Sequence, residues 1–459
     1  MWTQTKSLSL EVDGAGPAVF RILFGLLGFW SALRFILNDW IERFFVVPTF
    51  FFKYQGFEWV TAWSQTGMYI HFGLIALSAL LVTLGLFYRV SVVVFFLSFT
   101  YVEFIDVTNY LNHYYFISLV SFLMIFMPLN RCFSLDAWFK PSRGSGHVPL
   151  WVLNLLRFQV GCVYLYAGVA KMGADWLQYA QPLNIWLSPK TDMPLVGPWM
   201  DSLWLHYGMS WMGCFFDTTI VFWLLWKRSR PFAYGVVVFF HLFTGYLFNI
   251  GLFPVIMMAS ATIFFDPSWP RRLLGSSVPG FSLSAPLRPG HFWGLHGFGK
   301  VLILGYCLVQ LLLPLRTFTY DGNVLWHEAG MRWSWRVMVR QKTASLTYKV
   351  TLPKIGRTTL VSPSKYLTRH QEREISTQPD LILQLAHHIA RDFEAKGHES
   401  VEVRAEVTAS LNGRRAQVLV DPTIDLAKEE DGFGPKSWVL PAPTDPPLQL
   451  NRKVARHSL

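Results

Sequence analysis

Nine stretches of this chain are apolar enough to leave water, and they decide what it can fold into. They run over residues 17–38, 68–87, 90–107, 114–129, 149–170, 203–226, 231–249, 252–265 and 299–318. A helix rises about 1.5 Å per residue, so roughly 20 apolar residues cross a ~30 Å hydrocarbon layer. The stretches 114–129 and 252–265 are short, and fit as tilted, re-entrant or bundle-buried helices. From Arg332 to Leu459 the character changes to that of a water-soluble sequence, although 52% of the whole chain is hydrophobic and only 15% charged. The expected fold class is a polytopic α-helical membrane protein of about nine transmembrane helices with a C-terminal extracytoplasmic α+β domain. Its expected parts are a helical domain over 1–320, a soluble domain over 321–430 and a loose tail over 431–459, the last marked by Pro441, Pro443, Pro446 and Pro447.

Loop charge sets the orientation. With a cytoplasmic N-terminus, the inside loops hold Lys6, Arg89, Arg131, Lys140, Arg143, Lys227, Arg228, Arg230, Arg271, Arg272, Arg288 and Lys300, whereas the outside loops hold only Arg43, Lys53, Lys171 and Lys190. This positive-inside bias requires both short stretches to cross, and it puts the soluble domain and Lys171 on the same, extracytoplasmic side. The same distribution explains the net charge of +11 as topology signals, so no nucleic-acid partner is expected. Cys132, Cys162, Cys214 and Cys307 are widely spaced and imply neither a disulfide framework nor a metal site. Residues 1–16 hold no signal-peptide core, and residues 273–291, rich in Ser, Pro and Gly, read as a flexible inside linker.

Polar residues at helix ends and inside apolar runs are the candidates for function. The run 149–170 ends on Lys171 within Tyr164-Leu-Tyr-Ala-Gly-Val-Ala-Lys-Met-Gly-Ala-Asp-Trp176; a lysine there either snorkels to the interface or serves chemistry. Asp106, Asn109, Asn112 and His113 gather at an outer helix end, where Asn and His equally cap a helix. Arg157 needs a carboxylate, carbonyls or water, and Asp217 is one candidate partner. His241, near the midplane, reads as a hydrogen-bonded core residue or as part of a site. The loop from Asp39 to Gln65 is aromatic, as of a segment lying along the outer interface. In the soluble part, 336–340 and 345–352 alternate as strands, 380–396 is an amphipathic helix, and 401–420 is a hairpin turning at Asn412-Gly413.

Several of these motifs, in order, resemble one family. Ala-Gly-Val-x-Lys-x-x-Ala-Asp-Trp around Lys171, Asn-His-x-Tyr at Asn112, His147-Val-Pro-Leu-Trp151, the run from His241 to Phe253, Asp266-Pro-Ser-Trp-Pro-Arg-Arg272, Trp326-His-Glu-Ala-Gly-Met-Arg-Trp-Ser-Trp335 and Asp421-Pro-Thr-Ile-Asp425 are similar to segments of vitamin K-dependent gamma-glutamyl carboxylases. The resemblance covers about residues 15–425 and lacks the family's longer lumenal extension; the absence of an Asn-x-Ser/Thr sequon points to a bacterial member in an inner membrane, the ER membrane being the expectation for a eukaryotic one.

That resemblance implies gamma-carboxylation of protein glutamate coupled to oxygenation of reduced vitamin K, the hydroquinone, to its epoxide, with O2 and CO2 as co-substrates and no metal. It implies Lys171 as the base toward the hydroquinone, His113 beside it, Asn112, His113 and His241 as quinone-binding residues, and Trp326, Met331, Ser334 and Trp335 near a glutamyl peptide or protein substrate. The lipid bilayer is the other expected partner. A quinone epoxidase that carboxylates nothing, or a non-enzymatic membrane bundle, are the alternatives.

Overall fold

A short antiparallel pair, β1 (Glu11–Asp13) with β2 (His147–Pro149), ties the first helix of the bundle to the fifth. The computed structural model describes residues 11–140, 146–274, 297–434 and 436–450, so the linker and the last tail residues fall largely or wholly outside the described residues, as do Lys6, Arg143 and Arg288. The helices are α1 (Ala15–Leu37), α2 (Gln65–Leu84), α3 (Tyr88–Ile105), α4 (Asn112–Phe126), α5 (Leu150–Ala170), α6 (Leu203–Leu225), α7 (Arg230–Leu247), α8 (Phe253–Ala261) and α9 (Gly297–Leu315). Six of these regions, those of α1, α2, α3, α5, α6 and α9, are long and apolar enough to cross a membrane. Of the other three, α4 and α8 are shorter than a perpendicular span and α7, at 18 residues, falls outside this set, so six of the expected nine meet this measure among the described residues.

Lipid is as apolar as leucine, so these helices associate through close packing and hydrogen bonds rather than through expulsion of water. Small residues provide the packing. A Cβ on Gly25 of α1 would lie 2.4 Å from Thr83 Oγ1 of α2, and one on Gly28 would lie 2.8 Å from the Phe95 ring of α3. Arg157 supplies hydrogen bonds. Its guanidinium donates to the carbonyls of Ile263 at 3.0 Å, Phe264 at 3.1 Å and Phe265 at 3.1 Å, the orphan acceptors of the helical turn that ends α8. The expected partner Asp217 is bonded to Lys171 instead.

The C-terminal domain is a four-stranded antiparallel sheet in the order β4-β3-β5-β6, built from β3 (Lys342–Leu352), β4 (Arg357–Val361), β5 (Glu402–Leu411) and β6 (Gln417–Val418). Before β5 come α10 (Arg369–Ile375), opened by a Thr368–Gln371 capping box, and α11 (Pro379–Ala395). Helix α11 lays Leu381, Ile382, Leu385 and Ile389 against Tyr348, Val350, Val403, Ala405 and Val407 of the sheet, and all are buried. Each such aliphatic side chain removed from water contributes roughly 1.5–3 kcal/mol.

Three sequence expectations change here. Residues 336–340 form no strand: Trp333, Trp335 and Met338 have φ of 63°, 58° and 56°, left-handed values that break an extended ladder, while Trp335 stacks on Tyr115 of α4. The tail is anchored through residue 450: Trp438 is buried, Val439 bridges Val420, and the Leu450 amide donates to Asn184 at 2.8 Å. The aromatic loop after α1, expected along the outer interface, serves the domain junction. Phe52 and Tyr54 are buried in the core of the C-terminal domain, whereas Trp59 and Trp63 remain exposed.

Further bonds fix the two parts to each other. Arg414 grips Asp175 through both terminal guanidinium nitrogens at 2.9 and 2.6 Å, and Asn412 donates to the same carboxylate at 2.8 Å. Gln371 donates to Asp106 at 2.8 Å, and Trp186 to Gln341 at 2.7 Å. The residues between α3 and α4 and those after α5 therefore lie on the face that carries the C-terminal domain.

Candidate functional site

Lys171 caps the C-terminus of α5, and its side chain turns inward rather than toward the interface. The Nζ donates to Asp217 Oδ2 at 2.8 Å, to the Ala167 carbonyl at 3.2 Å and to the Val337 carbonyl at 3.3 Å, so three acceptors meet the three hydrogens of an ammonium. The side chains of Lys171 and Asp217 are only 7% and 8% exposed, which excludes a snorkelling anchor. Gly168 makes this geometry available. A Cβ there would stand 2.8 Å from the Thr218 backbone nitrogen and 3.1 Å from the Asp217 carbonyl carbon, so only glycine lets α5 and α6 approach this closely.

Lys171 and Asp217 line a cavity of about 80 Å³, several times the ~10–15 Å³ that one water needs, whose walls include Val163, Phe240, Phe248, Phe253 and Met257. Tyr164 and His241 also face it, the tyrosine hydroxyl lying 2.9 Å from His241 Nε2. Mostly apolar walls with a few converging polar groups match the chemistry of an aromatic ring that carries hydroxyls.

The other expected residues are more scattered. His113 is buried, with its ring 6.1 Å from that of Phe253, which in turn lies 6.2 Å from His241, so one aromatic residue separates His113 from the Lys171 cavity. Asn112 accepts from the Tyr110 hydroxyl at 3.0 Å and lines a second, polar cavity of about 210 Å³ with Met331, Arg332, Arg336 and Arg340. Met338 borders both cavities. Ser334 is buried and bonded to the Met331 carbonyl at 2.5 Å. Trp326 and Trp335 are wholly buried and line neither cavity; Trp326 donates to the Leu440 carbonyl at 2.8 Å inside the C-terminal core. Of the four residues expected near a peptide, Met331 alone lines the polar cavity.

Asp217 is the residue that sequence reasoning misplaced. A carboxylate inside an apolar helix is a functional candidate by default, and that signal was present in 203–226. Around the polar cavity the charges are largely matched. Arg332 pairs with Asp380 at 2.5 Å, and Glu328 pairs with Arg340 and with Lys342, the latter at 3.3 Å. Burial, the largest single influence, raises the Asp380 carboxyl, but the adjacent Arg332 guanidinium together with Lys436 and the Leu381 amide holds the group below its ordinary value. Burial pushes the Lys342 ammonium down to about 8 against the pull of Glu328. Arg336 donates to Thr317 Oγ1 at 3.0 Å and has no carboxylate partner among the described residues. Also among the described residues, no group of three His, Cys, Asp or Glu side chains is placed to hold a metal ion.

No solved structure matches the chain. Residues 10–269 match the family model of the HTTM domain, and residues 296–445 match that of the vitamin K-dependent gamma-carboxylase lumenal domain. The first match alone spans more than half of the chain, and the second begins at α9 and takes in the sheet domain. With apolar helices followed by a domain of the lumenal kind, the protein is an integral membrane protein with an extracytoplasmic domain, and it belongs to the HTTM family as a protein of the gamma-glutamyl carboxylase type.

Proposed function

We propose that the protein gamma-carboxylates glutamyl side chains of a peptide or protein in a reaction coupled to oxygenation of vitamin K hydroquinone, with O2 and CO2 as co-substrates. The observation that carries this reading is the amine of Lys171, buried at the end of a membrane helix and facing an apolar cavity. When bound, vitamin K hydroquinone supplies a phenolic proton and a reduced ring whose oxygenation yields a base strong enough for the glutamyl γ-carbon. The chain's own part is to hold that ring and handle its proton. Phe240, Phe248, Phe253 and Met257 exclude water, His241 and Tyr164 offer hydrogen bonds, and Lys171 takes the proton at Nζ. His113 acts from the far side of Phe253, and Asn112 from the polar cavity. The polar cavity beside Met331 suits the anionic substrate, with Arg336 as the guanidinium left to receive a carboxylate.

Nine crossings with a cytoplasmic N-terminus, in a bacterial inner membrane, complete the reading. Crossing by α8 is supported by Arg157, which satisfies the carbonyls at one end of that helix inside the bundle. The test is a product analysis. Purified protein supplied with hydroquinone, oxygen, labelled carbon dioxide and a glutamyl peptide is expected to form epoxide and labelled γ-carboxyglutamate together. Epoxide without label in the peptide would replace this reading with that of a quinone oxygenase, and neither product would refute both.

A further inference from the structure

We infer that Asp217 is where the proton taken up at Lys171 comes to rest, so that the working base is the Lys171–Asp217 pair and not the amine alone. This rests on the function proposed above and deepens it. The three acceptors around Nζ, one of them a carboxylate at 2.8 Å, describe a resting ammonium. An ammonium has no lone pair with which to accept a proton, so it must first give one up.

Asp217 Oδ2 is the one side-chain acceptor bonded to Nζ among the described residues. The other titratable groups facing the pair are engaged elsewhere. Cys214, one turn earlier on α6, directs its Sγ toward the Gly168 carbonyl at 3.8 Å. Tyr164 of α5 and His241 of α7 are bonded to each other. From the segment after Trp335 come only the Val337 carbonyl and the Met338 side chain, and from the loop after α5 the Trp176 ring at 5.2 Å.

Charge conservation favours the pair. A lone neutral amine that took a phenolic proton would create a new cation and a new anion in a cavity with mostly apolar walls, and burying unmatched charge costs several kcal/mol per ion. With the pair, one Nζ proton passes to Asp217 Oδ2 and the phenolic proton replaces it on Nζ. The phenol O–H bond breaks with its electrons left on oxygen, Lys171 ends as the ammonium it began as, and Asp217 becomes a neutral carboxylic acid. One anion is exchanged for another beside the same cation, and nothing is oxidised or reduced.

The experiment compares wild-type full-length protein with Asp217→Asn, which keeps the shape and an acceptor oxygen, and with Asp217→Glu, which restores the acid. In the first arm, infrared difference spectra are recorded as hydroquinone is added without oxygen, with binding measured in parallel. A protonated-carboxyl band is expected in wild type and, displaced, in Asp217→Glu, and none in Asp217→Asn. Bound hydroquinone without that band in wild type, or the same band in Asp217→Asn, overturns the inference.

In the second arm the pH profile of epoxide formation is measured. In Asp217→Asn the limiting acid becomes the Lys171 ammonium itself, so the low-pH limb is expected to move upward by at least about one pH unit, with activity recovering as pH rises. A lower rate on an unmoved profile would mean a structural ion pair only. The two readings fail separately. Wild type that shows the band but makes no γ-carboxyglutamate sinks the carboxylase, whereas normal products with an unmoved Asp217→Asn profile sink the pair.

Discussion

Gly168 of α5 and Thr218 of α6 touch through their backbones, and a Cβ on Gly168 would fall 2.8 Å from the Thr218 nitrogen. Because Asp217 is the neighbour of Thr218, this contact sets the length of the Lys171–Asp217 bond. Gly168→Ala is therefore expected to part the helices and reduce epoxide formation at least about tenfold, since misplacing a reacting group by ~1 Å costs up to about a hundredfold. Gly161→Ala, two turns earlier on the same helix, is the control, because its Cβ would meet Val221 at an ordinary 3.4 Å. Alanine is the better helix former, so helix propensity predicts no loss in either variant, and equal loss in both would show that the effect is not one of close approach at Gly168.

The grip of Arg414 on Asp175 joins the hairpin of the C-terminal domain to the loop that follows Lys171. Both side chains are nearly buried, at 10% and 13% exposed. Removing one member leaves the other desolvated and unpaired, which typically costs about 3–5 kcal/mol for a buried pair. Arg414→Ala and Asp175→Ala are each expected to lower the thermal unfolding temperature in detergent clearly. The double variant should lose much less than the sum, because the two residues act as a unit. Additive losses would mean that the pair does not couple the parts.

How legible this was depended on whether a residue acts through its neighbours in sequence or in space. Helix α5 and its terminal lysine were plain, because an apolar run of the right length ends on one charge. Helix α11 was plain too, as its apolar period of 3.6 matches a single sheet face. Asp217 carried a signal but not its partner: the sequence offered it to Arg157, and only the close approach at Gly168 brings it to Lys171. The segment 336–340 misled because its alternation was real, yet its backbone turns left-handed at Met338 to reach both cavities. For Trp326 and Trp335, burial in the C-terminal core and against α4 accounts for the aromatic residues without any substrate.

Two groups of the C-terminal domain set its response to pH. The carboxyl of Asp380 is depressed in the folded protein, so the unfolded chain binds the proton more readily; the stability it contributes is complete above pH ~4 and is lost as pH falls toward the folded value. Lys342 is also depressed, from 10.5 to about 8, so between those values the unfolded chain again holds more protons and stability rises with pH. Thermal unfolding followed at pH 3–5 and 8–10.5 is expected to show two upward slopes with pH. Asp380→Asn should flatten the first and Lys342→Met the second. A Lys342→Met slope that equals that of wild type would mean the ammonium is not desolvated in solution.

Lys171→Arg separates a structural ion pair from a site that handles protons. Arginine keeps the positive charge and can meet a carboxylate with two parallel bonds, so a Lys171–Asp217 pair that served only to hold α5 against α6 would survive the change, as would a general preference for a cation at a helix C-terminus. Proton transfer would not survive it. A guanidinium has a pKa above ~12 and does not become a neutral base near pH 7, whether its partner is Asp217 or solvent. Loss of general-base catalysis lowers rates by about 10²- to 10⁴-fold, so Lys171→Arg protein that unfolds at the wild-type temperature is expected to form epoxide at least about a hundredfold more slowly across pH 6–10. Lys171→Ala should be equally inactive while losing stability as well, because Asp217 is then buried without a partner. Near-normal turnover by Lys171→Arg would remove Lys171 from the chemistry and leave the pair as a clamp between two helices.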